Sequence, residues 1–181
     1  MKKTPQSLTP PKTHRFPRTV ASLLLLAFAA AGCVGYRLGS TLPPGINTVY
    51  VQPAVNRSPE PLIETDVTRA VIERFQRDGL LKVVDREAAD VILEITLQEM
   101  RLEPLRYERD QTKPASDYRM TLMADMVLIR TETGINMIDS QAIGESTFFA
   151  GSDLNTSRRA AIPDAAQDLA RRIVTQITEY W

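Results

Sequence analysis

Apolar and polar residues alternate most cleanly between Val91 and Gln98. Val91, Leu93, Ile95 and Leu97 fall on one face and Glu94, Thr96 and Gln98 on the other, with Ile92 the one apolar residue on the wet side. A period of two over eight residues predicts a half-buried strand. Tyr118 to Arg130 repeats the pattern, with Tyr118, Met120, Leu122, Ala124, Met126 and Leu128 in phase and Arg119, Thr121 and Asp125 opposite. Thr131-Glu132-Thr133-Gly134 supplies a turn into Ile135–Phe149, so these segments predict a three-stranded antiparallel meander.

Upstream, Ile46–Val51 alternates weakly and stops at Pro53, as a first strand would. The pattern then changes period. Ile63, Val67, Ala70, Val71 and Phe75 recur at spacings of three and four, which predicts an amphipathic helix. Ser58-Pro59-Glu60 offers a capping oxygen, a preset φ and a carboxylate for its start, and Asp78-Gly79 offers its end. Leu81–Val84 reads as a short strand and Asp85–Ala89 as a turn. Near the end of the chain Ile162, Ala165, Ala166, Leu169, Ile173, Ile177 and Tyr180 line one helical side. Ile162-Pro163-Asp164 marks the predicted start of that helix. Trp181 follows, either closing the core edge or sitting at an interface.

The order strand, helix, short strand, three strands, helix predicts an α+β fold. We expect a two-layer sandwich with two amphipathic helices packed on one face of a roughly four-stranded mixed sheet.

The beginning of the chain follows another rule. Lys2, Lys3, Lys12, Arg15 and Arg18, with no acidic residue among them, precede the apolar run Val20–Ala31. Twelve residues at about 1.5 Å each reach about 18 Å, short of a hydrocarbon core of about 30 Å. A basic segment, a short apolar segment and small residues at a junction read as an export signal. Ala30-Ala31-Gly32-Cys33 places the only cysteine at that junction. This arrangement resembles the lipobox of bacterial lipoproteins, in which the cysteine is acylated and becomes the mature N-terminus. The expected organisation is a signal over residues 1–32, a lipid-anchored tether over 33–45 and one domain over 46–181. Three glycines and two prolines between Cys33 and Gly45 suit a tether.

Without residues 1–32 the chain keeps 17 basic and 22 acidic residues. That balance lacks the basic footprint of a nucleic-acid binder. The sole histidine, His14, leaves with the signal, and acylation consumes the sole thiol. Cys–His and Ser–His–Asp nucleophilic machinery and the usual zinc ligand sets are therefore lost, and no glycine-rich phosphate loop is present. Paired carboxylates remain as candidates for acid–base work: Glu94 with Glu99, or Glu103 with Glu108. Each lies where a wet strand face or a loop places charge anyway, so the expectation is a protein without catalysis, cofactor or metal.

Between Glu99 and Asp117, Arg101, Arg106, Arg109 and Lys113 are mixed with Glu99, Glu103, Glu108 and Asp110. Pro104 and Pro114 argue against one regular strand there. Two readings stand side by side: a solvated hairpin kept soluble by mixed charge, or a tip whose cations meet anionic groups such as phosphates.

Read together, these segments resemble the LptE family of lipopolysaccharide-assembly lipoproteins. The carriers are Gly32-Cys33-Val34-Gly35-Tyr36-Arg37-Leu38, Val49–Arg57 with its asparagine-containing turn, and Ala89-Asp90-Val91-Ile92-Leu93 leading into the long strand. The two helices complete the order. The resemblance implies two helices on a four-stranded sheet, at the periplasmic side of the outer membrane. It implies a plug in the lumen of an LptD-like β-barrel that helps assemble that barrel and deliver lipopolysaccharide. Lipidation at Cys33 and lipopolysaccharide contact through Arg106, Arg109 and Lys113 follow from the same resemblance. Two other functions compete: a lipoprotein serving another envelope or polysaccharide-export partner, and a lipid-anchored carboxylate hydrolase.

Overall fold

The computed structural model describes residues 43–106, 117–150 and 153–179. Strands β1 (Thr48–Val51) and β2 (Val55–Asn56) precede helix α1 (Ile63–Asp78). Strand β3 (Lys82–Val83) and a single 3-10 turn at Arg86–Ala88 follow. The long strands β4 (Val91–Arg106), β5 (Asp117–Arg130) and β6 (Asn136–Phe149) then lead to helix α2 (Leu154–Glu179). The sheet runs β3-β1-β4-β5-β6, with β2 also paired to β4. The α+β two-layer reading is correct, but the sheet has six strands where roughly four were expected. The extra count comes from short strands: β1 and β2 lie parallel to β4 opposite Val91–Leu93 and Thr96–Leu97, interrupted around Pro53. Pro53 has no N–H to offer a ladder, which splits one edge into two pieces.

The meander β4-β5-β6 is antiparallel as predicted. Val91, Leu93, Ile95, Leu97, Met120, Leu122, Ala124, Met126 and Leu128 are all buried, so the strand phase is correct. Ile92 departs from it: although it points away from the helices it is only 8% exposed. Its cross-strand neighbours Tyr50 and Ile129 flank it and exclude water. A register shift between Leu97 and Glu99 then inverts the alternation. Beyond this bulge Met100 and Leu102 pack against the core, while Glu99, Arg101 and Glu103 face the other way. The strand also runs through Pro104, contrary to the expected interruption. β2 ends opposite Leu97, so Pro104 lies on an open edge, where a missing N–H is tolerated.

Both helices begin elsewhere than the sequence suggested, and each shift has a chemical cause. Ser58 is tied into the loop before α1, its N–H and its hydroxyl both donating to Asn56 Oδ1 at 2.9 and 2.8 Å. Asn56 Nδ2 also donates to the Glu60 carbonyl at 2.7 Å and to Glu64 at 2.9 Å, holding Ser58–Glu60 as a loop. The helix starts after Leu62, which adopts φ 68. Its end at Gly79 is as expected, with φ 77 and its N–H on the Phe75 carbonyl at 3.0 Å.

Helix α2 begins nine residues before the proline-aspartate pair. Asp153 caps it, accepting from Asn155 N at 2.9 Å and from the Thr156 hydroxyl at 2.5 Å. Pro163 is therefore inside the helix. Its missing bond would have gone to the carbonyl of exposed Arg159, which water can serve.

Ile63, Val67, Ala70, Val71 and Phe75 from α1 and Ala165, Ala166, Leu169, Ile173 and Ile177 from α2 are buried. They share one hydrophobic cluster with the inward strand residues. At Gly144 on β6 an added Cβ would lie 2.4 Å from Leu169 Cβ and 2.6 Å from the Ala165 carbonyl oxygen. The absence of a side chain there lets α2 approach the sheet.

Candidate functional site

Of the sequence-predicted anion-contacting residues, Arg106 lies on β4, which pairs antiparallel with β5. Pairing continues from Val91 opposite Arg130 to Arg106 opposite Asp117, with a second register shift between Pro104 and Arg106. Arg106 thus occupies the last paired rung of β4. Arg109 and Lys113 lie outside the described residues, as do Cys33 and Trp181. The structure brings the strands of this tip together without bearing on what its cations contact.

At its base, Arg101 is engaged with its own strand. Its guanidinium lies 3.0 Å from Glu99 and 3.9 Å from Glu103. Arg119 sits opposite Glu103 in the ladder. Glu99 and Glu103, nominated as catalytic carboxylates, therefore neutralise a neighbouring arginine in an exposed setting. Glu108 falls outside the described residues. Glu94 lies on the same sheet face, opposite Val127. No group of three or more His, Cys, Asp or Glu is placed to hold a metal among the described residues. Nor does any described helix have the length and apolarity to cross a membrane.

Two residues in the motif-like stretches are structural pins. Asp90 Oδ2 accepts from the Asn47 and Thr48 N–H groups, each at 2.9 Å, and from the Thr48 hydroxyl at 2.8 Å. Asp90 N returns a bond to Thr48 Oγ1 at 2.9 Å. The Asn47 N–H, then the Thr48 hydroxyl, hold the carboxyl below its ordinary 3.8 against opposing burial. Asp90 thereby sets the start of β1 beside β4. Asn56, described above, does the same for the loop before α1. Glu60 adds a long-range tie: it is 5% exposed and lies 3.2 Å from Arg158 of α2.

The side of the sheet away from the helices shows what periodicity left unresolved. Asp125 accepts from Gln98 Nε2 at 2.6 Å and Gln141 Nε2 at 3.1 Å, a ladder across β4, β5 and β6. Alternation marked Gln98 and Asp125 as outward, yet only the register says that they meet each other and Gln141. At the β6 edge, Asp168 accepts from Glu145 N at 3.0 Å, from Arg172 Nε at 2.9 Å and from Arg171. Burial raises its pKa, but the Arg171, Glu145 and Arg172 contacts prevail and leave it below 3.8. On the helical side, Pro53, Ala54, Thr65, Thr68 and Ile72 line a shallow groove of about 390 Å³, with charged Glu64, Arg69 and Glu73 also lining it.

A family model described as LptE, lipopolysaccharide-assembly, matches residues 46–177. Among solved structures, a protein from Xanthomonas campestris is 15% identical with a TM-score of 0.52, covering 78% of this chain and 91% of its own. A hypothetical protein from Chlamydia trachomatis is 11% identical with a TM-score of 0.51, covering 75% and 97%. At these identities the likeness concerns the fold alone. No curated protein matches the sequence.

Proposed function

This chain belongs to the LptE lipopolysaccharide-assembly family, and we propose that it is a non-enzymatic outer-membrane lipoprotein that plugs and helps assemble an LptD-like β-barrel. The observation that carries this reading is the family match across the two-layer domain, from Ile46 to Ile177, the first and last buried positions among the described residues. In this reading residues 1–32 are the export signal, Cys33 carries lipid, and residues 33–45 tether the domain to the periplasmic side of the outer membrane. Arg106, Arg109 and Lys113 are the proposed lipopolysaccharide contacts.

Physical chemistry supports the assignment. A barrel lumen is polar and partly wet. A plug for it should close its apolar core internally and offer a mixed polar surface. Here both helices and the inward strand residues form one core, and the outward strand residues include Glu94, Thr96, Asp125 and Gln141. Work is done by filling and ordering a lumen, which needs no nucleophile.

The test is purification of the full-length lipidated chain from outer membranes. Recovery of a large barrel at one-to-one stoichiometry is expected; recovery of the protein alone overturns the plug. In the same cells Cys33→Ser should leave the precursor uncleaved and without lipid label, and normal labelling of that variant would sink the anchor.

A further inference from the structure

We infer that the sheet face left uncovered by the helices is the surface that docks on the barrel partner, and that it does so by receiving a basic patch flanked by apolar residues. This rests on the plug reading and specifies the surface and the chemistry it needs.

The first argument is charge accounting. Three acids near this face have a cation within ion-pair distance. Glu99 and Glu103 share Arg101, and Glu145 meets Arg172 of α2 at 3.9 Å. Glu94, Asp125 and Asp139 form no ion pair with any described cation. Asp125 is a special case among them. Gln98 and Gln141 fix its carboxylate from both sides at 2.6 and 3.1 Å, yet both are neutral amides. They set its position and leave its charge uncompensated. A carboxylate already immobilised loses little entropy when a guanidinium or ammonium arrives.

The second argument is what surrounds these carboxylates. Val127 lies opposite Glu94, and Ile129 opposite Ile92, so aliphatic side chains alternate with the acids across β4 and β5. Ile143 on β6 is 37% exposed on the same side. An apolar patch containing a few charges that await partners is the usual anatomy of a protein-binding surface, with arginine among the residues that dominate binding. The helical side differs: its groove at Pro53 and Ile72 is lined by charges of both signs.

The third argument selects the occupant. Lipopolysaccharide and other anionic lipids would bring phosphate to three uncompensated carboxylates, which Coulomb repulsion disfavours. A basic protein surface gains where the lipid loses. Lipid contact, if made by this protein, belongs to other surfaces.

The experiment uses the full-length lipidated chain in its own outer membrane. Photo-crosslinking residues are placed at Thr96 and Ile143 on the open face, and at Thr65 and Ile72 on the helical face. Glu94→Gln/Asp125→Asn/Asp139→Asn is purified in parallel, with a melting curve of its soluble fragment beside wild type. The expected result is barrel crosslinks chiefly from Thr96 and Ile143, and retention of the barrel by the triple variant reduced at least about tenfold. That difference from wild type should shrink at high salt, because salt screens in wild type the charge contacts that the variant already lacks. Barrel retained by wild type but crosslinked from Thr65 and Ile72 alone overturns the face and leaves the plug intact. Equal crosslinking from both sides with undiminished retention by a folded triple variant overturns it too. If wild type retains no barrel, the plug reading falls and takes this inference with it.

Discussion

Strands β4, β5 and β6 present two faces built from alternate residues of the same stretches of chain, and each face is specified by a different kind of interaction. Facing the helices, Leu93, Ile95, Leu122, Met126 and Leu128 are nearly or fully buried, and Gly144 admits the backbone of α2. Volume decides there. On the open side Glu94, Thr96, Asp125 and Gln141 are half-buried or exposed, and hydrogen bonds and uncompensated charge decide. The comparison teaches that one alternating pattern encodes two separate tasks. A substitution on the inward face should report on folding, and one on the outward face chiefly on association.

The largest effect should therefore come from the inward face. Leu93→Ala, at a side chain with no exposure, should cost about 2–5 kcal/mol through lost burial and a residual cavity. Denaturant titration of the soluble fragment reads this directly, with an unchanged slope expected. A cost below about 1 kcal/mol would mean that the inward face is not the core.

Gly144→Ala tests the same face by addition. The new methyl meets Leu169 N at 2.5 Å and the Ala165 carbonyl oxygen at 2.6 Å, both helix backbone and unable to rotate away. Helix α2 must shift, at a cost of about 1–3 kcal/mol. The outward neighbour Ile143→Ala should change stability by about 0.5 kcal/mol or less. Equal losses at positions 143 and 144 would erase the distinction between the faces.

Asp90 lies at the margin of both faces and adds a pH dependence. Its folded pKa is held below 3.8, first by the Asn47 N–H and the Thr48 hydroxyl. The charged form is thus favoured in the folded state, so its contribution is complete above the unfolded pKa. It is lost as pH falls through the folded value. Asp90→Asn should be less stable than wild type at neutral pH, with the gap closing on acidification below about pH 4. Comparing the two proteins removes the similar contributions of Asp153 and Asp168, whose pKa values are also lowered. A gap constant with pH would show that shape alone holds β1 in place.

Much of this architecture was legible in the sequence, because periods of two and three-to-four report burial directly. The stripe from Ile63 to Phe75 and the three long strands are examples. The misses share a cause: a polar side chain chose a partner that spacing does not reveal. Ser58 read as a helix cap, but Asn56 holds its N–H and hydroxyl in a loop and the helix starts only after Leu62. Pro163 read as a helix start, while the true cap, Asp153, depends on Asn155 and Thr156 turning back toward it. The candidate site divides in the same way. The outward position of Asp125 followed from alternation, but its two amide partners follow only from the register.

The smallest effect concerns the point where the two faces exchange phase. Gln98 sits in the register shift between Leu97 and Glu99, so it and Glu99 both point outward and the next apolar residues turn inward. Simple alternation treats Gln98 as a wet residue whose loss is nearly neutral. The structure gives it a 2.6 Å bond to a carboxylate, half-buried in the sheet. Gln98→Ala should therefore cost about 1 kcal/mol, the usual net value of one hydrogen bond, because Asp125 keeps Gln141 and gains water. A double-mutant cycle with Asp125→Ala separates this from bulge geometry: a coupling of at least about 0.5 kcal/mol is expected if the bond matters. Zero coupling with an unchanged cost would assign the effect to the backbone of the bulge. The open face would then lose the rigid carboxylate on which its docking chemistry depends.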